Sequence, residues 1–396
     1  MISRERVELA INHRQPDRVP IDLGGTRTTG ISVFSYNELK KKLGIENGLI
    51  RVHDVYQMLG WVEPEVIERL HIDTLYAPRL SQRLKTRLSG WTEWQLLNGE
   101  RVLMPEGFQP ELTPQGDWII TDSDGSRARM PKEGYYFDYL EDTFSDKKKD
   151  IDKLRFGDWS DEEYRFCGEQ AERLFKETDK ALIGDFGVNL GRPGSYENWF
   201  VLLAMEPSYM QEYHDKKSDH IVSLLIKYKQ AMGDRISALY FGQDFGTQNG
   251  EMISPDMFRE LFVPYFKKVF SWIHENTPWK VFFHCCGSIY HIIPHFIEAG
   301  VDILNPVQCS AVRMDPAVLK REFGEKLVFW GGGVDTQSVL PFGTVEEVRS
   351  QVKERIDTFK GNGGFVFNPV HNIQHGVPAE NIIASFDAAY EFGRYT

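Results

Sequence analysis

Lys280-Val-Phe-Phe-His284-Cys285-Cys286-Gly287 is a short apolar run that ends in metal-binding side chains. In an extended segment successive side chains point to opposite faces, so His284 and Cys286 share one face and Cys285 takes the other. An imidazole and a thiolate on a common face are two of the ligands a tetrahedral zinc site needs. A second run, Gly364-Phe-Val-Phe-Asn-Pro-Val-His371, places another histidine after an apolar stretch. His371 is the candidate third ligand, which leaves one position open for substrate. Alone, His-x-Cys also describes a satisfied histidine beside two core cysteines, so the surrounding architecture has to decide.

That architecture is a repeat of the same pattern. Runs of this kind recur at 18–23, 72–76, 181–186, 238–243, 280–284, 302–305, 327–330 and 364–367, with helical stretches between them. Clear amphipathic helices are expected over 255–275, opened by Ser254-Pro255, and over 315–323 and 345–359. Another starts near the N-terminus with Ser3 as its cap. Near-continuous apolar strands covered by helical crossovers are what a parallel sheet requires. Eight such units predict an α/β fold, the (β/α)8 TIM barrel, with catalytic groups at the C-terminal ends of the strands. We expect one domain over 1–396.

Residues 79–137 break the rhythm. Six glycines punctuate strand-like pieces such as Trp91–Leu97 and Asp117–Thr121, and Asn98-Gly99 and Asp124-Gly125 are hairpin-turn dipeptides. This predicts an antiparallel β meander inserted after the second strand, either capping the barrel mouth or decorating its surface. The charged run Asp146–Lys153 reads as a solvated helix start.

Composition narrows the partners. Acidic residues number 58 against 46 basic ones, for a net charge of −12, and no basic stripe is present. Nucleic acid and anionic membrane are therefore not expected partners. No window approaches the apolar length of a membrane span, and the N-terminus lacks a signal-peptide pattern. Four cysteines in 396 residues suit a reduced compartment, the cytoplasm.

The chain resembles the uroporphyrinogen decarboxylase superfamily, and within it the corrinoid-linked zinc methyltransferases. The resemblance is carried by Pro16–Asp22, Gly242–Gly250 with Ile253–Phe258, Phe283–Ser288, Gly300–Pro306, Gly331–Asp335, Gly343–Val348 and Pro378–Ile382. It implies a (β/α)8 barrel independently of the strand count. Decarboxylases of the superfamily hold their tetrapyrrole with an arginine-rich N-terminal stretch. Here the matching region, Leu23-Gly-Gly-Thr-Arg-Thr-Thr-Gly30, has one arginine, which disfavours a substrate needing several bidentate guanidinium partners. In the methyltransferase branch, zinc is held by His-x-Cys and a distant Cys. His284 and Cys286 match the pair, and His371 stands at the distant position.

Replacing that thiolate by imidazole raises the formal charge of a zinc site from zero to +1, which makes it the better Lewis acid toward an ether oxygen. The resulting expectation is a zinc methyltransferase that demethylates a small methoxylated substrate. Its acceptor would be cobalamin carried by a corrinoid protein, since no Asp-x-His-x-x-Gly cobalamin-binding pattern occurs here. Decarboxylation of a carboxylated tetrapyrrole is the alternative, and an inert binding barrel the third.

Asp244 is the catalytic candidate, as a further ligand, a partner for a histidine or a general acid, with loop capping the plainer role. Gln248, Asn249 and Asp335 are substrate-binding candidates, the last after the glycine-rich turn Gly331-Gly-Gly333. Asp22, Asp185 and Asn189 near strand ends read as structural first. His375 is as readily a surface residue as a mouth residue. His291 and His295, spaced i,i+4 without the His-Glu-x-x-His pattern, read as structural, and Cys285 and Cys309 as buried small side chains.

Overall fold

Seven of the eight apolar runs form one parallel sheet in the computed structural model, which describes residues 1–45, 47–140, 148, 150–187 and 190–395. Its strands are Thr74–Ala77, Ala181–Asp185, Ala238–Gly242, Lys280–His284, Ile303–Asn305, Val328–Trp330 and Phe365–Val366, hydrogen-bonded in chain order. The first expected strand, 18–23, is a correction. Pro20 has no N–H to donate, and Ile21 makes a single parallel bridge, to Phe367. That bridge still closes the barrel. Phe367 N donates to Pro20 O and Asp22 N to Phe367 O, while Asp73 N donates to Ile21 O, each across 2.8 Å. Residues 20–22 thus bond to both edges of the sheet. Buried Asp73 fixes this segment, accepting from Arg6, Arg18 and the Ile21 amide.

Alternation sorts the strand residues into two cores. Ile183, Tyr240, Phe282, Ile303, Val328, Trp330 and Val366 fill the barrel interior, joined from below by Val7, Ala10 and Ile11 of the first helix, Ser3–Ile11. Their neighbours Val281, Phe283 and Leu304 face the outer helices. His284 has the parity of Phe282 and so stands on top of the inner layers, at the mouth.

Helix boundaries follow capping chemistry, with two corrections. Ser254 accepts from Met257 N and starts Pro255–Leu261 as expected, but the helix breaks at Phe262 and resumes as Val263–Asn276. Pro264 cannot donate back into a continuous helix. At the N-terminus Ile2, not Ser3, holds the cap position. Asp315 caps Pro316–Phe323, and Thr344 forms a capping box on Val345–Phe359. No described helix is long and apolar enough to cross a membrane.

The insertion is two sheets where one meander was expected. Arg87–Gln95 pairs with Arg101–Glu106, and Glu111–Leu112, Trp118–Thr121, Arg127–Met130 and Asp138–Tyr139 form a four-stranded antiparallel sheet. Gly99 and Gly125 adopt φ of +90° and +87°, as the turn dipeptides require. Trp94, Phe108 and Trp118 pack edge-on as a small core. Backbone bonds from Leu103 to Ile50 and from Phe137 to Tyr56 tie the insertion to the barrel loops. Within the charged run, Asp150 caps a 3-10 turn over Ile151–Lys153; residues 146, 147 and 149 lie outside the described residues.

Candidate metal centre

His284 ends its strand inside the mouth, 6% exposed, with Nε2 3.2 Å from Cys286 Sγ. The His371 ring approaches from the segment after Phe365–Val366, its centroid 5.4 Å from that of His284 and its plane turned by 70°. One ligand atom from each of the three lies within 4.8 Å of the others. A cation held tetrahedrally would set sulfur and nitrogen about 3.5 Å apart, so the donor set fits a metal with little adjustment. Cys285 faces the other way, fully buried, its sulfur accepting from Phe245 N at 3.3 Å.

A residue that sequence reasoning missed orients the first ligand. Asn305, fully buried, is the register partner of His284 on the neighbouring strand. Its Nδ2 donates to Trp330 O at 2.9 Å, which leaves Oδ1 to accept from His284 Nδ1 at 2.7 Å. The proton therefore sits on Nδ1, and the Nε2 lone pair points toward Cys286. Histidine ligands characteristically use their second nitrogen in this way. The available signal was positional: an amide with inward parity at the end of the adjoining strand.

Asp244 Oδ1 accepts from Cys286 N at 2.8 Å and lies 4.0 Å from His284 Nε2. It braces the Cys286 turn and also lines the mouth. Gly287 completes that turn at φ +90°, where an added Cβ would lie 2.5 Å from the Gly246 backbone. Burial holds both imidazoles below the ordinary range, with His371 pushed down to about 3 by burial and then by His284. Burial, and secondly the Asp244 carboxylate, push the Cys286 thiol up. Without a cation the site therefore keeps two neutral imidazoles beside a protonated thiol, and a metal would have to displace that proton.

A cavity of about 850 Å³ opens above the three residues. Its lining includes Arg27, Tyr56, Arg83, Tyr139, Arg155 and Arg192. The insertion thus supplies cavity wall, through Arg83 and Tyr139. Arg27 is paired with buried Asp185, which also receives Tyr76 Oη. Asp22 is a structural carboxylate as well, accepting from Thr74, Gly25 N and Trp330 Nε1.

The other candidates lie away from this cavity's lining. Gln248 is exposed and bonds Ser310 O and Gln308, while Asn249 N donates to Thr247 in an exposed turn. Asp335 Oδ1 caps its own loop by accepting from Gln337 N and Ser338 N. His375 is exposed and stacked on Tyr135. His291 pairs with Glu251 before the helix Ile293–Ala299 begins, so it and His295 do not share a helix face. Cys309 Sγ lies 3.3 Å from Val307 O. Asn189 falls outside the described residues.

Comparisons with known proteins place this geometry in a family. Residues 190–392 match the family Uroporphyrinogen decarboxylase (URO-D). Two curated relatives, both called uroporphyrinogen decarboxylase, come from Ruthia magnifica and a Synechocystis strain. The first is 24% identical over 200 residues, covering 49% of this chain and 52% of the relative. The second is 26% identical over 190 residues, covering 46% and 48%. The chain spans about half the length of the curated relatives it matches. Among solved structures, a methyltransferase from Methanosarcina mazei superposes with a TM-score of 0.60 at 15% identity, covering 99% of both chains, and so shares the fold. The match over half of the sequence and the barrel with its strand-end site agree, and the chain belongs to the uroporphyrinogen decarboxylase family.

Proposed function

We propose that this protein is a zinc-dependent methyltransferase that moves a methyl group between a small methoxylated substrate and the cobalamin of a corrinoid protein. The observation that carries the reading is the convergence of His284, Cys286 and His371 at the floor of a cavity large enough for substrate. The name of the Methanosarcina mazei neighbour agrees with it. Zinc bound by these residues would supply Lewis acidity toward the oxygen that loses its methyl group. Asn305 keeps the His284 Nε2 lone pair aimed at the centre, and Asp244, 4.0 Å from that nitrogen, is the acid–base candidate for the departing oxygen. A methyl group directed outward into the cavity would meet an acceptor approaching in line. With all four cysteines free, we place the protein in the cytoplasm.

A second reading, decarboxylation of a carboxylated tetrapyrrole, is favoured by the names of the curated relatives and by the cavity arginines, three of which come from outside the N-terminal region. One experiment separates the two. The protein is mixed with cob(I)alamin and a panel of methyl ethers, methylamines and methyl thioethers, and the methylcobalamin spectrum is followed with and without a zinc chelator. Zinc-dependent methylcobalamin from a methyl ether is the expected result. Zinc-independent CO2 release from a uroporphyrinogen, with no methylcobalamin from any donor, would establish the decarboxylase instead.

A further inference from the structure

The rim of the cavity is cationic in a chain whose acids outnumber its bases. Arg27, Arg83, Arg155 and Arg192 line it, against Asp124 and Asp244. Several of these charges are already engaged. Arg27 is held by Asp185, Asp124 accepts from Ser126 N and Oγ, and Asp244 is bonded to the Cys286 amide. Arg83 and Arg155 are different. Neighbouring Arg79 and Arg87 pair with Glu163 and Glu162, whereas Arg83 lies over the Tyr56 ring at 4.9 Å and pairs with no carboxylate among the described residues. Arg155 donates to the backbone carbonyls of Asp152 and Leu154 and likewise has no carboxylate partner there. Arg192 lies over Tyr196 at 3.8 Å.

These guanidinium groups come from three separate segments. Arg83 belongs to the insertion, Arg155 follows the 3-10 turn Ile151–Lys153, and Arg192 lies in the loop after Ala181–Asp185. The Tyr56 and Tyr196 rings stand beside Arg83 and Arg192. Arg83 and Arg155, which have no carboxylate partner among the described residues, offer guanidinium edges to a planar oxyanion. The chain's net charge would repel an anion from most of its surface, so a local arginine cluster is what would draw one in.

We propose that Arg83, Arg155 and Arg192 form an anion subsite, and that the substrate is a small organic anion carrying a carboxylate or phosphate. The anionic end lies at the rim, a flat apolar body lies along Tyr56 and Tyr196, and the reacting end reaches His284, Cys286 and His371. Only the position of the reacting end rests on the metal-centre reading; the anion subsite stands on the arginines.

The test is calorimetric titration of the full-length protein, with its zinc content measured, against 4-methoxybenzoate, its neutral analogue 4-methoxybenzamide, and 4-methoxyphenyl phosphate. The better of the two anions should bind about tenfold more tightly than the amide, with salt weakening the difference. Which anion binds better identifies the group the rim selects. The preference should collapse in Arg83→Gln/Arg155→Gln, substitutions at exposed positions whose melting temperature should match the wild type. It should survive in Cys286→Ser, which lacks a metal ligand. Equal binding of anions and amide, or a preference unmoved by the arginine pair, overturns the proposal. So does a preference that disappears in Cys286→Ser, because the anion would then be bound at the metal centre. Intact anion preference without methyl transfer from any donor would reject the methyltransferase reading and leave the subsite standing.

Discussion

His284 Nδ1 donates to Asn305 Oδ1 across 2.7 Å, joining two register partners on adjacent barrel strands. The bond decides which imidazole nitrogen is free to bind a metal. Asn305→Ala should therefore weaken zinc binding by about 10- to 100-fold while His284 remains in place. Asn305→Asp, which keeps an acceptor, should retain most of the affinity. Titration against a competing chelator measures both, and equal affinities in wild type and Asn305→Ala would remove Asn305 from the site.

Strand parity predicts a contrast between adjacent cysteines. Purified protein should carry about one zinc per chain. Cys286→Ser and His284→Ala should lose most of it, and Cys285→Ser should keep it. Elemental analysis of protein prepared without chelators gives the answer, and the reverse pattern would refute the shared-face argument.

His371 should act as an exchangeable ligand. His371→Cys should retain zinc, since a thiolate can take the same position, and His371→Ala should bind it at least tenfold more weakly. X-ray absorption reads the change in coordination directly. Full occupancy in His371→Ala with an unchanged first shell would move the third ligand elsewhere, with Asp244 the first residue to substitute.

Acid sensitivity should come partly from His214, which is fully buried and donates through Nδ1 to Leu261 O at 2.8 Å. Burial pushes it from 6.5 down to about 4. Between those values the unfolded chain takes up a proton that the folded protein refuses, so stability is lost as pH falls through that window. From pH 6.5 to pH 5 the loss from this one group is about 2 kcal/mol. Urea unfolding of metal-free protein at both pH values should show a smaller acid loss in His214→Asn, and parallel losses would show that His214 does not contribute.

Most of the barrel was legible because each strand is buried on both faces and reads as an apolar run. Lys280–His284 was bounded correctly because Cys285 and Gly287 follow at once. Residues 18–23 misled because Pro20 permits closure through scattered bonds and not a ladder, a distinction that apolar content does not carry. Pro264 was a visible signal for the broken helix. Within the site, His284, Cys286 and His371 stood out by residue type. Asn305 did not, since its importance lies in a strand register that no local pattern reveals. Arg83, Arg155 and Arg192 come from segments far apart in sequence, so counting arginines near the N-terminus missed the charge that the fold collects at the mouth.

Closure through residues 20–22 also shapes how this chain can fold. The bridge between Ile21 and Phe367 joins segments separated by nearly the whole sequence. Closing a loop of that size is entropically costly and is compensated only when both partners meet. Until then the strands Thr74–Ala77 and Phe365–Val366 remain open sheet edges, each able to pair with another chain. The Arg6–Asp73–Arg18 cluster holds the 20–22 segment against the first of these edges, so that a single seam remains to be joined last. Slow refolding and concentration-dependent aggregation before that seam forms are the expected kinetic counterpart of a barrel whose ends are stitched by only a few hydrogen bonds, and refolding followed at several protein concentrations would read both.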